Sequence, residues 1–161
     1  MKEPQLSVMK GAALFGLYPS KILKRIIPIT LGVISYEKIN PNEICDDEYL
    51  DINKKEKRCY QYLIFIKKNE SIETNKIINH IIYIKYKRIY IFYSYENKIT
   101  KDNKKVLGCV DAIFNDSNHN IKSINLNMTF TNYINVSIIG NNFTVQNSSL
   151  LRYPKSLYLK N

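Results

Sequence analysis

The stretch from Ile77 to Gly108 constrains the chain more than any other. Two runs of β-branched and aromatic residues, Ile77–Ile84 and Ile89–Ser94, flank a short basic segment, Lys85–Arg88. Such residues suit a pleated surface buried on one side. The basic segment contains neither Gly nor Pro, so the spacing predicts a longer arch rather than a two-residue hairpin. A polar Thr-Lys-Asp-Asn core at Thr100–Asn103 follows, and Val106–Gly108 restarts a strand. Further on, Asn125, Asn127 and Thr129 alternate with Leu126, Met128 and Phe130. That alternation marks a sheet with one dry and one wet face. The expected fold is mainly β.

The rest of the chain fits around this frame. Pro4–Leu17 reads as a short helix with Leu6, Met9, Ala13 and Leu17 on one face, stopped by Gly16 and Pro19. Ser20–Ile27 reads as a basic-apolar connector, and Ile29–Tyr36 as a first strand. The polar stretch 37–57 is expected to be a long exposed loop. Its acidic cluster Asp46, Asp47 and Glu48 lacks the glycine-containing spacing of a calcium loop. Strands are expected at Cys59–Ile66, Ile121–Thr131, Tyr133–Ile139 and Phe143–Gln146, with turns at Lys67–Glu70 and Gly140–Asn142. Residues 151–161 read as a loose tail. Short strands at regular spacing predict a β-sandwich.

Composition excludes several classes. Of the 161 residues, 45% are hydrophobic, enough for one core. Tyrosine occurs 13 times with no Trp, which fits strands wet on one side. The three cysteines are irregularly spaced and there are two histidines, a poor basis for a zinc site. They are expected to be free thiols in a reducing compartment, and the chain is expected to be cytoplasmic. There is no signal-peptide pattern and no apolar run of ~18 residues, so no membrane association is expected. Asn127, Asn135 and Asn142 begin Asn-x-Ser/Thr triplets and are read as unglycosylated. The net charge of +10 favours anionic partners in principle, but the lysines are dispersed and read as a solvated basic surface. No nucleophile, acid–base pair or phosphate-binding loop is evident, so no catalytic residue is assigned.

The order of the pieces resembles a known family. Glu3-Pro4 with Lys10-Gly11-Ala12-Ala13 resembles the last helix of the actin-like ATPase domain of the seventy-kilodalton heat-shock chaperones (DnaK-like). Pro28-Ile29-Thr30-Leu31-Gly32-Val33 is similar to the opening strand of their substrate-binding domain, and Ile66–Ile72 to the loop and strand entry that follow. Tyr95-Glu96-Asn97, Thr100–Asn103 and Leu107-Gly108 resemble a strand end and turn of that domain. Met128–Phe130 and Ile134–Ser137 resemble its closing hairpin. Gly11–Leu17 with Pro19-Ser20 looks closer still to the divergent heat-shock-protein-twelve-like branch, which tolerates a long insertion after the first strand.

This resemblance implies a C-terminal fragment. Residues 1–19 would be a helix left from the ATPase domain and 20–28 an interdomain connector. Residues 29–148 would be a β-sandwich peptide-binding domain, and 149–161 a tail. It implies chaperone-like binding of extended apolar peptides, with Val33, Tyr36, His80, Tyr83 and Ile89 matching the pocket and its arch. The expected partners are unfolded or extended polypeptides, with an ATPase domain supplied in trans. ATP belongs to full-length relatives, and no cofactor or metal is expected in this chain. The alternatives are a basic β-domain binding nucleic acid or an anionic surface, and a non-functional gene fragment. The nucleic-acid reading ranks below peptide binding, because no aromatic-and-glycine RNA-binding motif is present.

Overall fold

The computed structural model describes residues 23–40, 42–45, 48–51, 56–114, 121–140 and 145–155. Within them the chain forms eleven strands in three antiparallel sheets. The strands are β1 (Lys24–Ile27), β2 (Thr30–Lys38), β3 (Glu48–Asp51), β4 (Glu56–Ile66), β5 (Glu70–Glu73) and β6 (Ile77–Ile84). They continue with β7 (Arg88–Ser94), β8 (Lys105–Asp111), β9 (Lys122–Phe130), β10 (Ile134–Ile139) and β11 (Val145–Leu151). One sheet has five strands in the order β3-β4-β2-β7-β8. A second has four, β11-β10-β9-β6, and the third is the pair β1-β5.

The alternation in β9 is realised in space. Ile124, Leu126, Met128 and Phe130 are buried, and in β10 so are Ile134, Val136 and Ile138. The register sets Phe130 opposite Ile134, Met128 opposite Val136 and Leu126 opposite Ile138, which fills one face of the four-stranded sheet. Leu31, Val33, Phe65, Ile91 and Val110 of the five-stranded sheet join the same core, so the two larger sheets bury their apolar faces together. Asn127 is buried as well. Its side-chain oxygen accepts a hydrogen bond from Asn79 directly opposite on β6, which satisfies an otherwise costly polar group.

One flank is tied by side chains. Asn147 donates to the Asp111 carbonyl at 2.7 Å and Ser149 to the Cys109 carbonyl at 2.8 Å, joining β11 to β8. On the opposite flank the Tyr83 amide donates to Ser35 Oγ at 3.0 Å. Ser35 is wholly buried and its hydroxyl donates in turn to Glu37. At Gly32, a Cβ would sit 2.6 Å from the Leu63 carbonyl oxygen, so this close approach of β2 and β4 requires glycine. The Thr100–Asn103 turn closes on itself. The Thr100 amide donates to Asn103 Oδ1 at 2.8 Å, and Asn103 Nδ2 donates to Glu96 at 2.9 Å.

Several expectations from the sequence are corrected. The segment read as a connector contains β1, which pairs with β5 and buries Ile27 in the core. The stretch read as one long loop holds the end of β2, all of β3 and the start of β4. A short edge strand bounded by charged residues, as Glu48 and Asp51 bound β3, lacks the long apolar alternation that marks a buried one. The tail begins later than residue 149, since β11 runs through Leu151 and Tyr153 packs on the core. The helix expected at residues 1–19 lies outside the described residues.

The expectation of three free thiols is also corrected. Cys45 and Cys59 form a disulfide with Cα atoms 6.0 Å apart, and Cys109 is free. The bond ties the segment before β3 to β4 across a sequence separation of 14. Closing a loop of that length in the unfolded chain is worth about 3 kcal/mol by chain entropy. Reduction, or Cys45→Ser, is therefore expected to lower the unfolding free energy by about 2–3 kcal/mol. Urea denaturation with and without reductant measures this. An unchanged midpoint would show that the bond restrains nothing.

Candidate functional site

Strands β6 and β7 are consecutive but belong to different sheets, so Lys85–Lys87 between them is an arch from one layer to the other. Its landing strand, β7, meets β2 only briefly. Their ladder runs from Thr30↔Ser94 to Val33↔Ile91 and then stops. Beyond it, Ile34–Lys38 has ladder partners only on β4 and Arg88–Tyr90 only on β8. The two strands part, and a pocket of about 350 Å³ opens between them.

Residues from four strands and the arch line it. β2 contributes Ile34 and Tyr36, and β4 contributes Tyr60. Ile84 ends β6, and Lys85 and Tyr86 follow in the arch. Arg88, Ile89 and Tyr90 come from β7. Alternation explains this set. Ile34 and Tyr36 lie on the face of β2 opposite to Val33 and Ser35, which turn into the interior.

The walls continue into an aromatic band. Tyr36 and Tyr60 meet edge to face with ring centres 6.0 Å apart, Tyr60 meets Tyr62 at 5.5 Å, and Tyr62 meets Phe92 at 6.1 Å. The Lys104 ammonium donates to the Tyr62 hydroxyl at 2.9 Å and lies 5.2 Å from the Phe92 ring centre. Burial, and then the Tyr62 hydroxyl, push the Tyr60 phenol above its ordinary value, which favours its neutral form. At the rim, Arg88 Nε and Nη2 donate to the two Asp111 oxygens at 2.8 and 3.0 Å. This fork holds the Asp111 carboxyl below the usual carboxylate range and raises the Arg88 guanidinium.

Behind Tyr36 lies Arg58, a buried cation. Its Nη1 donates to the Tyr36 carbonyl at 2.9 Å and its Nη2 to Glu56 at 3.1 Å. Its guanidinium stands 4.5 Å from the Tyr83 ring centre. Arg58 thus fixes the strand that carries the pocket wall.

Of the five residues singled out from the sequence, the pocket brings together Tyr36 and Ile89. Tyr83 lies behind the wall, under Arg58. Val33 is fully buried in the core, in the last pair before β2 and β7 part. His80 packs edge to face on Phe65 at 4.7 Å. Ile34, Tyr60, Ile84, Lys85, Tyr86, Arg88 and Tyr90 were not foreseen as lining residues. Their local signal is an aromatic residue at alternate positions, Tyr60 and Tyr62 of β4 and Tyr90 and Phe92 of β7, which marks a half-wet face but not a cavity.

Among the described residues, no cluster of three or more His, Cys, Asp or Glu side chains is placed to hold a metal ion. No described helix is long and apolar enough to cross a membrane. No family model, curated protein or solved structure matches the chain.

Proposed function

We propose that the chain is a peptide-binding module, a β-sandwich that grips an extended apolar segment of another polypeptide in a chaperone-like manner. The observation that carries this is the parting of β2 and β7 beside an apolar pocket. Strand edges without ladder partners offer main-chain hydrogen bonds to an extended segment, and the adjacent pocket takes one side chain, the two elements of strand addition. The family resemblance in the sequence supports the same reading, with descent from the substrate-binding half of a DnaK-like chaperone. The module would bind rather than catalyse, with an ATPase domain supplied in trans.

A fluorescein-labelled apolar heptapeptide is expected to raise its anisotropy on titration with the protein. Tyr36→Ala removes a wall of the pocket and is expected to weaken binding about tenfold or more, as aromatic anchors at an interface do. A peptide that stays free even at high protein concentration would sink the proposal. So would full affinity in the Tyr36→Ala protein.

A further inference from the structure

We infer that the segment taken by this cleft carries acidic residues beside its apolar anchor. The inference rests on the peptide-binding reading and names its substrate class. The floor and the rim differ in chemistry. Ile34, Ile84 and Ile89 offer an apolar floor, and the volume of about 350 Å³ is at the small end for a binding pocket, enough for one large side chain. The rim is cationic. Lys85 and Arg88 line the pocket and the exposed Lys87 stands between them in the arch, so three cations face the Asp111 carboxylate that pairs with Arg88 at the rim, and the balance is positive. The Asp111 fork engages Nε and Nη2 of Arg88, and Nη1 takes no part in it.

Position makes this charge selective. A peptide lying along the unpaired edge of β7 must pass the arch, because Arg88 opens β7 and the arch leads directly into it. Residues flanking the anchor therefore meet Lys85, Lys87 and Arg88 at close range. A lysine there meets like charge, and a glutamate meets opposite charge. The chain's net charge of +10 adds a field of the same sign, which steers acidic segments in and basic ones away. Two rim contacts of ordinary surface strength together amount to about tenfold in affinity.

The test uses three labelled heptapeptides with one Leu-Phe-Leu core, flanked on both sides by Glu, by Gln or by Lys. Anisotropy is read in about 0.01 M and about 1 M salt, between which the Debye length falls from ~30 to ~3 Å. The Glu-flanked peptide is expected to bind about tenfold more tightly than the Lys-flanked one at low salt, with the gap closing at high salt. In the Lys85→Gln/Lys87→Gln protein the Glu-to-Lys affinity ratio is expected to fall below about threefold. Reading a ratio cancels any loss of folded protein. Equal affinity for Glu and Lys flanks overturns the acidic preference and leaves peptide binding standing. A preference that survives the double substitution also overturns it, since the arch would not be its source. If none of the three peptides binds, the peptide-binding reading fails with it.

Discussion

Replacing Phe130 with alanine is expected to destabilise the protein by about 3–5 kcal/mol, the usual loss for a buried phenylalanine. Phe130 is wholly buried at the end of β9 and sits opposite the wholly buried Ile134 of β10. Its ring belongs to the core shared by the two larger sheets, so truncation opens a cavity that neither sheet can fill alone. Domains of this size have a total stability of about 5–15 kcal/mol, so the loss is a large fraction of the whole. The midpoint of urea denaturation reports it. Leu150→Ala, at an exposed position of β11, serves as the reference and is expected to stay within about 0.5 kcal/mol of the parent. A Phe130→Ala protein as stable as that reference would mean the two sheets do not share this core.

Arg58→Ala is expected to cost about 2–3 kcal/mol and, on the proposed peptide-binding function, to weaken peptide binding at the same time. The side chain is 6% exposed, so its hydrogen bonds are little screened by water. Its loss removes a charge-assisted bond to the Tyr36 carbonyl, worth about 1.5–3 kcal/mol. It also removes the cation from the Tyr83 ring, worth about 0.5–2 kcal/mol. Two effects reduce the total. Glu56 is partly exposed and retains its bond to Lys38, and the buried Arg58 Nε, which has no partner, no longer has to be desolvated. Arg58→Met keeps most of the packing and should recover part of the stability. It should not recover binding, because the Tyr36 strand has lost its polar tether. Denaturation and peptide anisotropy on the same two proteins separate these effects. If both proteins match the parent in stability and affinity, Arg58 does not support the pocket.

Much of the β framework was legible in local pattern. The β9 alternation named its own buried face, and Ile77–Ile84 coincides with β6. The missing Gly and Pro at Lys85–Arg88 pointed to an arch rather than a hairpin, and β6 and β7 indeed pair with other strands. The Thr100–Asn103 turn stood out because its side chains bond their own backbone. β1, β3 and the end of β11 were illegible for a shared reason. They are short or polar edge pieces held by long-range partners, such as Lys24 opposite Glu73 and Leu151 opposite Ile134. Of the candidate site, Tyr36 and Ile89 came from the resemblance, and the rest of the lining came from folding.

Where alternation is clear, as in β9, the sequence by itself determined that the segment is extended and which side is dry, because a period of two is written in neighbouring residues. Tertiary structure alone decided which strands meet. Thr30 pairs with Ser94 and Gly32 with Phe92, across some sixty residues that no local pattern links. Loop closure costs only slightly more as the intervening chain lengthens, so separation along the chain does not select the partner. Mutual burial selects it, and burial exists only once both sheets are assembled. The pocket is a product of that step, opening where the β2–β7 ladder ends after four pairs and an arch from the other layer crosses beside the gap.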